Sequence, residues 1–535
     1  MTEKKQILKS ASIISLVTVF SRILGYVRDQ RLTLLLGTSL SADSFILAYR
    51  IPNLLRRLVG EGAMTASFIP VFTSYMRERP TEELWDFANR LFWTLATLLA
   101  VLTVLGMVFS PGVIQLFDVF SKEHKQWDQA IYLNRIIFPY IFFIGLAALS
   151  MAILNCFHVF GVPASTPVLL NVAMIIFSIG IVWRRVGDPA VALAVGVIVG
   201  GALQLLIQVP LLVQHGMRFK FGISPSHPGI RAVARLMAPG VFGIGVAQIN
   251  LYVDTVFAKA PKMPLGSITS LYVADRVMEL VLGGYAIAVA TAILPMMSHQ
   301  AAAKDYEALK KTFAFSLRIV SFITVPAAVG LVILREPIIR ILFQHGRFLA
   351  ESTRLTARAL LYYSLGLPAF AAIKLIVPAF YSTQDTKTPV RVAAFTLVIN
   401  IALNTLFLVT FFKTFQNGGP ALATALAAYF NFLALFSIFR WRFGHLGTME
   451  ILGSFLKICA CSAVMGGSTW LLLRYSHFAG QPRFLFQLLT FIGLITSATV
   501  IYLLLAWMFR CPEIEEVYGI AVRREQGPAL PPGME

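Results

Sequence analysis

The chain has 535 residues, of which 57% are hydrophobic and only 13% charged, and its mean hydropathy is +0.75. That balance excludes a soluble globular protein. The net charge of +19 does not point to nucleic acid, because the basic residues are scattered over many helix ends instead of gathered in one basic domain; anionic membrane lipid is the more economical partner.

A helix needs about 20 apolar residues to cross a bilayer, and such runs recur along the whole chain. The first, 10–36, follows Lys4, Lys5 and Lys9 and carries Arg22, Arg28 and Asp29 within FSRILGYVRDQ (20–30). Its start resembles a signal peptide, but no small-residue cleavage site follows and Arg22 interrupts the apolar core, so it reads as a retained helix. The second run, 42–70, holds Asp43, Arg50, Arg56, Arg57 and Glu61, with Pro52 inside it. Runs at 90–114, 131–156, 166–184 and 190–213 complete a first set of six. A polar stretch with two prolines, QHGMRFKFGISPSHPGI (214–230), follows. The second set opens with 231–257, carrying Asn250 and Asp254, and 267–297, carrying Asp275, Arg276 and Glu279. It continues through 312–334, 356–380, 389–412 with Asn400 and Asn404, and 420–440 with Thr424. Two more runs, 451–473 and 485–509, precede the C-terminal tail.

This pattern predicts an all-α polytopic membrane protein with about fourteen transmembrane helices. The N-terminal lysines and the larger share of loop Lys and Arg place both termini in the cytoplasm. Cys156, Cys459, Cys461 and Cys511 have neither zinc-site spacing nor the density of a disulfide framework, and read as packing residues.

The chain repeats itself at an offset of roughly 222 to 229 residues, the kind of duplication found in transporters. AYRIPNLLRRLVGEGAMTASFIPVF (48–72) aligns with VADRVMELVLGGYAIAVATAILPMM (273–297), bringing Pro70 onto Pro295. FHVFGVPASTPV (157–168) and FYSTQDTKTPV (380–390) share Thr-Pro-Val at the expected start of a helix, where proline fits the first turn. Six spans separate the copies, so they have the same orientation, related by an axis along the membrane normal. The expected organisation is an N-lobe at 1–213, a cytoplasmic linker at 214–230, a C-lobe at 231–440, a terminal helix pair at 441–510 and a cytoplasmic tail at 511–535.

A charge at the centre of a membrane helix costs about 2.5–3.5 kcal/mol on insertion scales, so such groups face protein or water. Here they gather on the first, second and eighth spans. Arg22, Gly25 and Asp29 recur at i, i+3, i+7, and Asp43, Arg50 and Arg57 at steps of seven, so each helix has a polar stripe. Arg22, Arg28, Arg31, Arg50, Arg56, Arg57 and Arg276 outnumber Asp29, Asp43, Glu61, Asp275 and Glu279. Internal ion pairs and snorkelling would explain Asp29, Asp43, Asp275 and Glu279 about as well as a functional role. The arginine surplus instead fits a cavity for an anionic, phosphate-bearing substrate, because the guanidinium fork grips phosphate oxygens in bidentate fashion.

Asn250 and Asp254, Asn400 and Asn404, and Thr424 offer hard oxygen ligands suited to sodium or to a proton pathway. Interhelical hydrogen bonding explains the Asn and Thr side chains slightly better, and explains Asp254 least.

FSRILGYVRD, ADSFILAYRIPNLLRRLVGEGA, YVADRVMEL and FYSTQDTKTPV resemble the MurJ (MviN) family of bacterial lipid II flippases, within the multidrug/oligosaccharidyl-lipid/polysaccharide exporter superfamily, over about residues 7–510. The resemblance implies two six-helix lobes around a central cavity and a last helix pair forming a groove for a lipid tail. It implies that Arg22, Arg28, Arg56 and Arg276 are cavity arginines essential to transport, that Asp43 and Glu61 are further polar cavity positions, and that a sodium site uses Asp254, Asn404 and Thr424. The implied substrate is lipid II, undecaprenyl-pyrophosphate-linked disaccharide-pentapeptide, moved across the cytoplasmic (inner) membrane for peptidoglycan synthesis. The two-lobe duplication removes the need for a dimer, so a monomer among membrane lipids is expected, with Na+ or H+ coupling, no cofactor, and the cell-wall synthesis machinery as its protein partner.

A cation-coupled multidrug exporter of the same superfamily would need an acidic cavity, whereas the surplus is basic. A non-transporting membrane scaffold for cell-wall assembly would leave costly charges idle on three helices. An enzyme is least favoured: no nucleophile and base pair, metal cluster or phosphate loop is visible.

Overall fold

The computed structural model describes residues 3–60, 63–117, 127–480 and 483–514, with side chains throughout except at 3–15, 55, 57–60, 63, 65, 66, 181, 238–244, 246, 247, 284–288 and 479. Apolar runs fold as helices because lipid offers no partner to backbone N–H and C=O groups, which must be satisfied within the segment. No strand occurs among the described residues.

The helices are, in chain order, α1 (Glu3–Leu36), α2 (Leu40–Gly60), α3 (Ala63–Glu78), α4 (Thr81–Val108), α5 (Ser110–Gln115), α6 (Asp128–Ile137), α7 (Tyr140–Cys156), α8 (Gly161–Phe177), α9 (Gly180–Val186), α10 (Pro189–Leu206) and α11 (Val209–Gln214). They continue as α12 (Pro228–Ala258), α13 (Ser267–Ala302), α14 (Tyr306–Phe343), α15 (Ala350–Ser382), α16 (Lys387–Val409), α17 (Phe412–Phe415), α18 (Gly419–Phe443), α19 (Thr448–Tyr475) and α20 (Phe484–Met508). Among the described residues, nine stretches are long and apolar enough to cross a membrane: 81–108, 128–156, 189–214, 306–343, 350–382, 387–409, 412–443, 448–475 and 484–508. The expected span 166–184 falls on the shorter apolar helix α8. The four remaining expected spans fall on α1, on α2 with α3, on α12 and on α13. Leu485, Leu489, Ile492, Leu503, Leu504 and Trp507 are all exposed on α20, as a helix solvated by lipid tails requires. The chain is a multi-pass helical membrane protein.

Local chemistry moves several boundaries. α4 begins at Thr81 instead of near 90, because Glu82 and Glu83 give it an acidic first turn that complements the helix dipole. The expected span 131–156 divides into α6 and α7 at Phe138–Pro139, where proline has no N–H to continue the ladder. Thr-Pro-Val at 388–390 lies in the first turn of α16, but at 166–168 it lies further inside, because α8 already starts at Gly161. Pro167 cannot donate to the carbonyl of Pro163, and the Thr166 hydroxyl takes that place at 2.9 Å.

The chain divides into two compact units: residues 1–269 with 345–352, and residues 270–344 with 353–535. In the first unit α10 packs on α7 and α8, α1 packs on α8, and α2 packs on α6 and α7. Small residues allow the close approach: a Cβ on Gly200 would stand 2.8 Å from the Leu170 Cα, and one on Gly201 would stand 2.6 Å from the Tyr140 ring. α12 belongs to this unit through its packing on α2, α3 and α4. The stretch 214–230 is strapped along α4. The Lys220 and Ser224 amides donate to Asn89 Oδ1 and Thr94 Oγ1, each at 3.2 Å; Phe219 and Phe221 meet Phe92 and Trp93 edge to face, and His227 stacks on Phe87. His227 then caps α12 by accepting the Gly229 N–H at Nδ1, and burial pushes its pKa below the ordinary value.

In the second unit α16 packs on α18, and α14 packs on α19 and α20. Pro326 leaves the Phe322 carbonyl without its helical donor, and the Tyr502 hydroxyl of α20 fills the vacancy at 2.7 Å. A proline inside one helix thus becomes the docking point for another.

Candidate substrate site and its charged residues

The polar stripe of α1 is built against α8. The Arg28 guanidinium donates to Asp29 Oδ1 from Nε at 3.0 Å and from Nη2 at 2.7 Å, and to Asn171 Oδ1 from Nη1 at 3.0 Å. Asn171 in turn donates from Nδ2 to the Ser21 carbonyl at 3.0 Å. Arg28 and Asp29 are 8% and 4% exposed. A buried pair with this many directed hydrogen bonds offsets the desolvation that would otherwise expel both charges from a membrane helix. Asp29 is therefore the counter-ion of Arg28. Further along the same helix Arg31 donates from Nη2 to the Ser178 carbonyl and from Nε to its hydroxyl, at 3.0 and 3.2 Å. Arg22, by contrast, is exposed.

On α2, Asp43 is buried and engaged at the segment that opens α13. It accepts from the Gly266 amide at 2.9 Å, the Thr269 amide at 2.8 Å and the Thr269 hydroxyl at 2.6 Å. This is a helix cap supplied from a distant residue: the unsatisfied N–H groups of a helix start receive a carboxylate, which the helix dipole also favours. The same end of the first unit holds the backbone clasp of residues 345–352, in which the Arg347 amide donates to the Leu34 carbonyl at 2.9 Å and the Thr38 and Ser352 hydroxyls meet at 2.7 Å. Gly37 and Gly346 turn there with φ of 62° and 60°, and a Cβ on Gly346 would lie 2.5 Å from the Leu34 carbonyl oxygen. Both positions require the freedom and the bareness of glycine.

Lower on α2, Arg50 donates to Thr255 of α12, and Arg56 donates from Nε to Asn53 at 2.9 Å. Arg50, Asn53, Gln248, Tyr252 and Thr255 line a small recess in the first unit. Glu61, proposed beside them, lies outside the described residues.

Arg276 belongs to the second unit, on α13. It donates from Nη1 to Glu279 at 2.6 Å and lies 5.1 Å from the centre of the Tyr272 ring, a salt bridge and a cation–π contact that together orient the guanidinium. Arg22, Arg28, Arg56 and Asp43 thus fall in one unit and Arg276 in the other.

The residues read as an ion site divide in the same way. Asp254 is buried on α12 in the first unit. In the second, Asn404 Nδ2 donates to Asn400 Oδ1 at 2.7 Å and Asn400 Nδ2 donates to Thr424 Oγ1 at 2.9 Å. The first of these lies within α16, and the second ties α16 to α18.

FYSTQDTKTPV has a role that residue types alone did not reveal. Asp385 accepts from the Thr388 amide at 3.0 Å, the Thr388 hydroxyl at 2.6 Å and Arg442 Nη1 at 2.6 Å, so it ties the start of α16 to the end of α18. Asp-x-x-Thr ahead of an apolar run was the available signal. Burial raises the Asp385 pKa, but the Thr388 hydrogen bonds and the Arg442 guanidinium outweigh it and hold the carboxyl at about 2, below its ordinary 3.8. A depressed pKa means that the contribution to stability is complete above the ordinary value and fades as pH falls from about 4 towards 2. Asp385→Ala is therefore expected to lower the unfolding temperature of the purified protein at pH 7, and the difference from wild type should shrink across that interval.

Comparisons with known proteins follow the same lines. A family model described as lipid II flippase MurJ matches residues 32–491. A probable lipid II flippase MurJ from Vibrio cholerae is 36% identical over 479 residues, covering 88% of this chain and 89% of the relative. The lipid II flippase MurJ of Burkholderia cenocepacia is 33% identical over 457 residues, covering 84% and 87%. A solved structure of lipid II flippase MurJ in an inward closed conformation superposes with a TM-score of 0.76 at 28% identity, covering 93% of this chain and 98% of that one. An inward-facing multidrug resistance MATE family transporter shares the fold, with a TM-score of 0.63 at 15% identity over 81% of this chain and 95% of its own. With the family model spanning most of its length and relatives above 30% identity matched nearly end to end, this chain belongs to the MurJ family of lipid II flippases.

Proposed function

We propose that this chain carries lipid II from the inner to the outer leaflet of the bacterial cytoplasmic membrane, by alternating access. The observation that supports this reading, beside family membership, is the set of arginines on apolar helices that carry few other charges. A pyrophosphate bridging a polyprenyl tail to a disaccharide-pentapeptide is the substrate's densest negative charge, and guanidinium groups match it in geometry and stay ionised. Arg22, Arg28, Arg56 and Arg276 are the proposed pyrophosphate ligands. Asp29 and Glu279 hold Arg28 and Arg276 as oriented cations in the absence of substrate. Asp43 and Glu61 complete the proposed polar lining, and Asp254, Asn404 and Thr424 the coupling-ion site, for sodium or protons.

On this reading fourteen helices cross the membrane, both termini are cytoplasmic, lobes 1–213 and 231–440 rock about the substrate, and helices within 441–510 guide the lipid tail. The protein works as a monomer that passes its substrate to the cell-wall synthesis machinery. A multidrug exporter remains the second reading, on the fold shared with the MATE transporter, but cationic drugs would meet a surplus of arginine. The test is growth of cells depleted of their own flippase. The wild-type chain is expected to restore growth, and the chain with Arg22, Arg28, Arg56 and Arg276 all changed to Ala, present in the membrane at equal amount, is not. Full growth of the fourfold variant overturns the pyrophosphate reading.

A further inference from the structure

Asn171 is a neutral side chain placed where an apolar helix, α8, meets the buried ion pair of α1. It is 5% exposed, and both ends of its amide are engaged on α1: Nδ2 with the Ser21 carbonyl and Oδ1 with Arg28 Nη1, each at 3.0 Å. A backbone carbonyl only accepts, so the amide nitrogen must face Ser21 and the oxygen must face Arg28. Its orientation is therefore set by the α1 backbone. Ser21, Gly25 and Arg28 follow at i, i+4, i+7 and form the edge of α1 that meets α8. The bare Gly25 lies between the two contacts, where a Cβ would be 3.6 Å from Asn171 Nδ2.

Asp29 and Asn171 act differently on Arg28. Asp29 engages Nε and Nη2 and neutralises the charge, while Asn171 engages Nη1 and fixes the plane of the guanidinium. Parting Arg28 from Asp29 would expose two buried charges, whereas withdrawing it from Asn171 releases a neutral acceptor. The Nη1 edge is therefore the less costly one for an entering anion to take.

We propose that Asn171 is a positioning residue for Arg28: it presents the Nη1 edge of the guanidinium to a pyrophosphate and yields that edge on binding. The inference rests on the reading of Arg28 as a pyrophosphate ligand. It identifies the amide on α8 as what makes an already neutralised arginine usable.

The test is a double-mutant cycle on the full chain in nanodiscs, with undecaprenyl pyrophosphate as the probe and its dissociation constant as the readout. Asn171→Leu is expected to weaken binding roughly 10-fold, because the guanidinium, no longer held in its plane, must then be ordered in the binding step itself. Asn171→Asp is expected to weaken it further, because a second carboxylate competes with the pyrophosphate and repels it. In an Arg28→Ala/Asp29→Asn background, which removes the ion pair as a unit, Asn171→Leu should have no additional effect. A purely structural role for Asn171 would lower affinity equally in both backgrounds and would overturn the inference, as would wild-type affinity in Asn171→Leu. Wild-type affinity in Arg28→Ala/Asp29→Asn by itself would instead overturn the assignment of Arg28. Unfolding temperatures measured on the same samples separate a misfolded variant from a correctly folded weak binder.

Discussion

Replacing Arg28 by Ala is expected to abolish growth in flippase-depleted cells and also to destabilise the protein, whereas Arg28→Ala/Asp29→Asn should recover most of the stability and none of the growth. The single change leaves Asp29 buried at 4% exposure with its two hydrogen bonds from the guanidinium gone. Removing one partner of a buried pair costs about 3–5 kcal/mol, because the other charge is left uncompensated in a low-dielectric site. Changing both residues removes the charges together, so the uncompensated charge, which is the larger part of that penalty, is absent. The two quantities therefore separate. If the pair only fastens α1, the double variant should both fold and grow. If Arg28 serves the pyrophosphate, restored folding leaves the defect in place. The measurements are the unfolding temperature of purified protein and colony formation at matched membrane abundance. Growth of the double variant at the wild-type rate would return Arg28 to the role of a structural ion.

The reach of the sequence is uneven for a physical reason. Hydropathy located the helical spans because lipid exposure acts on each segment by itself, and the charged stripes of α1, α2 and α13 were visible as breaks in that pattern. What each charge does depends on partners that local spacing does not reveal. Asp29 lies next to Arg28 in the chain, so their pairing was legible. Asn171 is separated from Arg28 by 143 residues, and Thr269 from Asp43 by 226; neither Asn171 in its apolar run nor Thr269 at the start of α13 carries a mark of its role. Pro326 inside α14 was equally plain in the sequence, but not that the Phe322 carbonyl it leaves unpaired would receive Tyr502. The Thr-Pro-Val repeat misplaced the start of α8 because a Thr166 hydroxyl, absent from any propensity argument, lets the helix run through Pro167.

Asp43 gives the second large effect, and its sign distinguishes a cap from a substrate contact. Its two oxygens satisfy three donors at the start of α13, namely the Gly266 and Thr269 amides and the Thr269 hydroxyl. Asp43→Ala would strand all three in a buried site, and each unsatisfied donor costs about 1–3 kcal/mol, so a loss of at least about 3 kcal/mol is expected. Asp43→Asn keeps one acceptor oxygen but turns an NH2 group towards donors, so it should recover only part of that. Thr269→Val removes the hydroxyl donor while keeping the amide bond and the side-chain shape, and should cost little. Because Asp43 and Thr269 share these contacts, Asp43→Ala combined with Thr269→Val should be less destabilising than the sum of the single changes. A residue that touched only the substrate would behave otherwise: Asp43→Ala would lose transport at unchanged unfolding temperature, and its effect would add to that of Thr269→Val. Thermal unfolding of the four proteins, read beside their complementation, decides between these outcomes. Loss of stability before loss of transport would mean that Asp43 contributes to flipping by holding the start of α13 against α2.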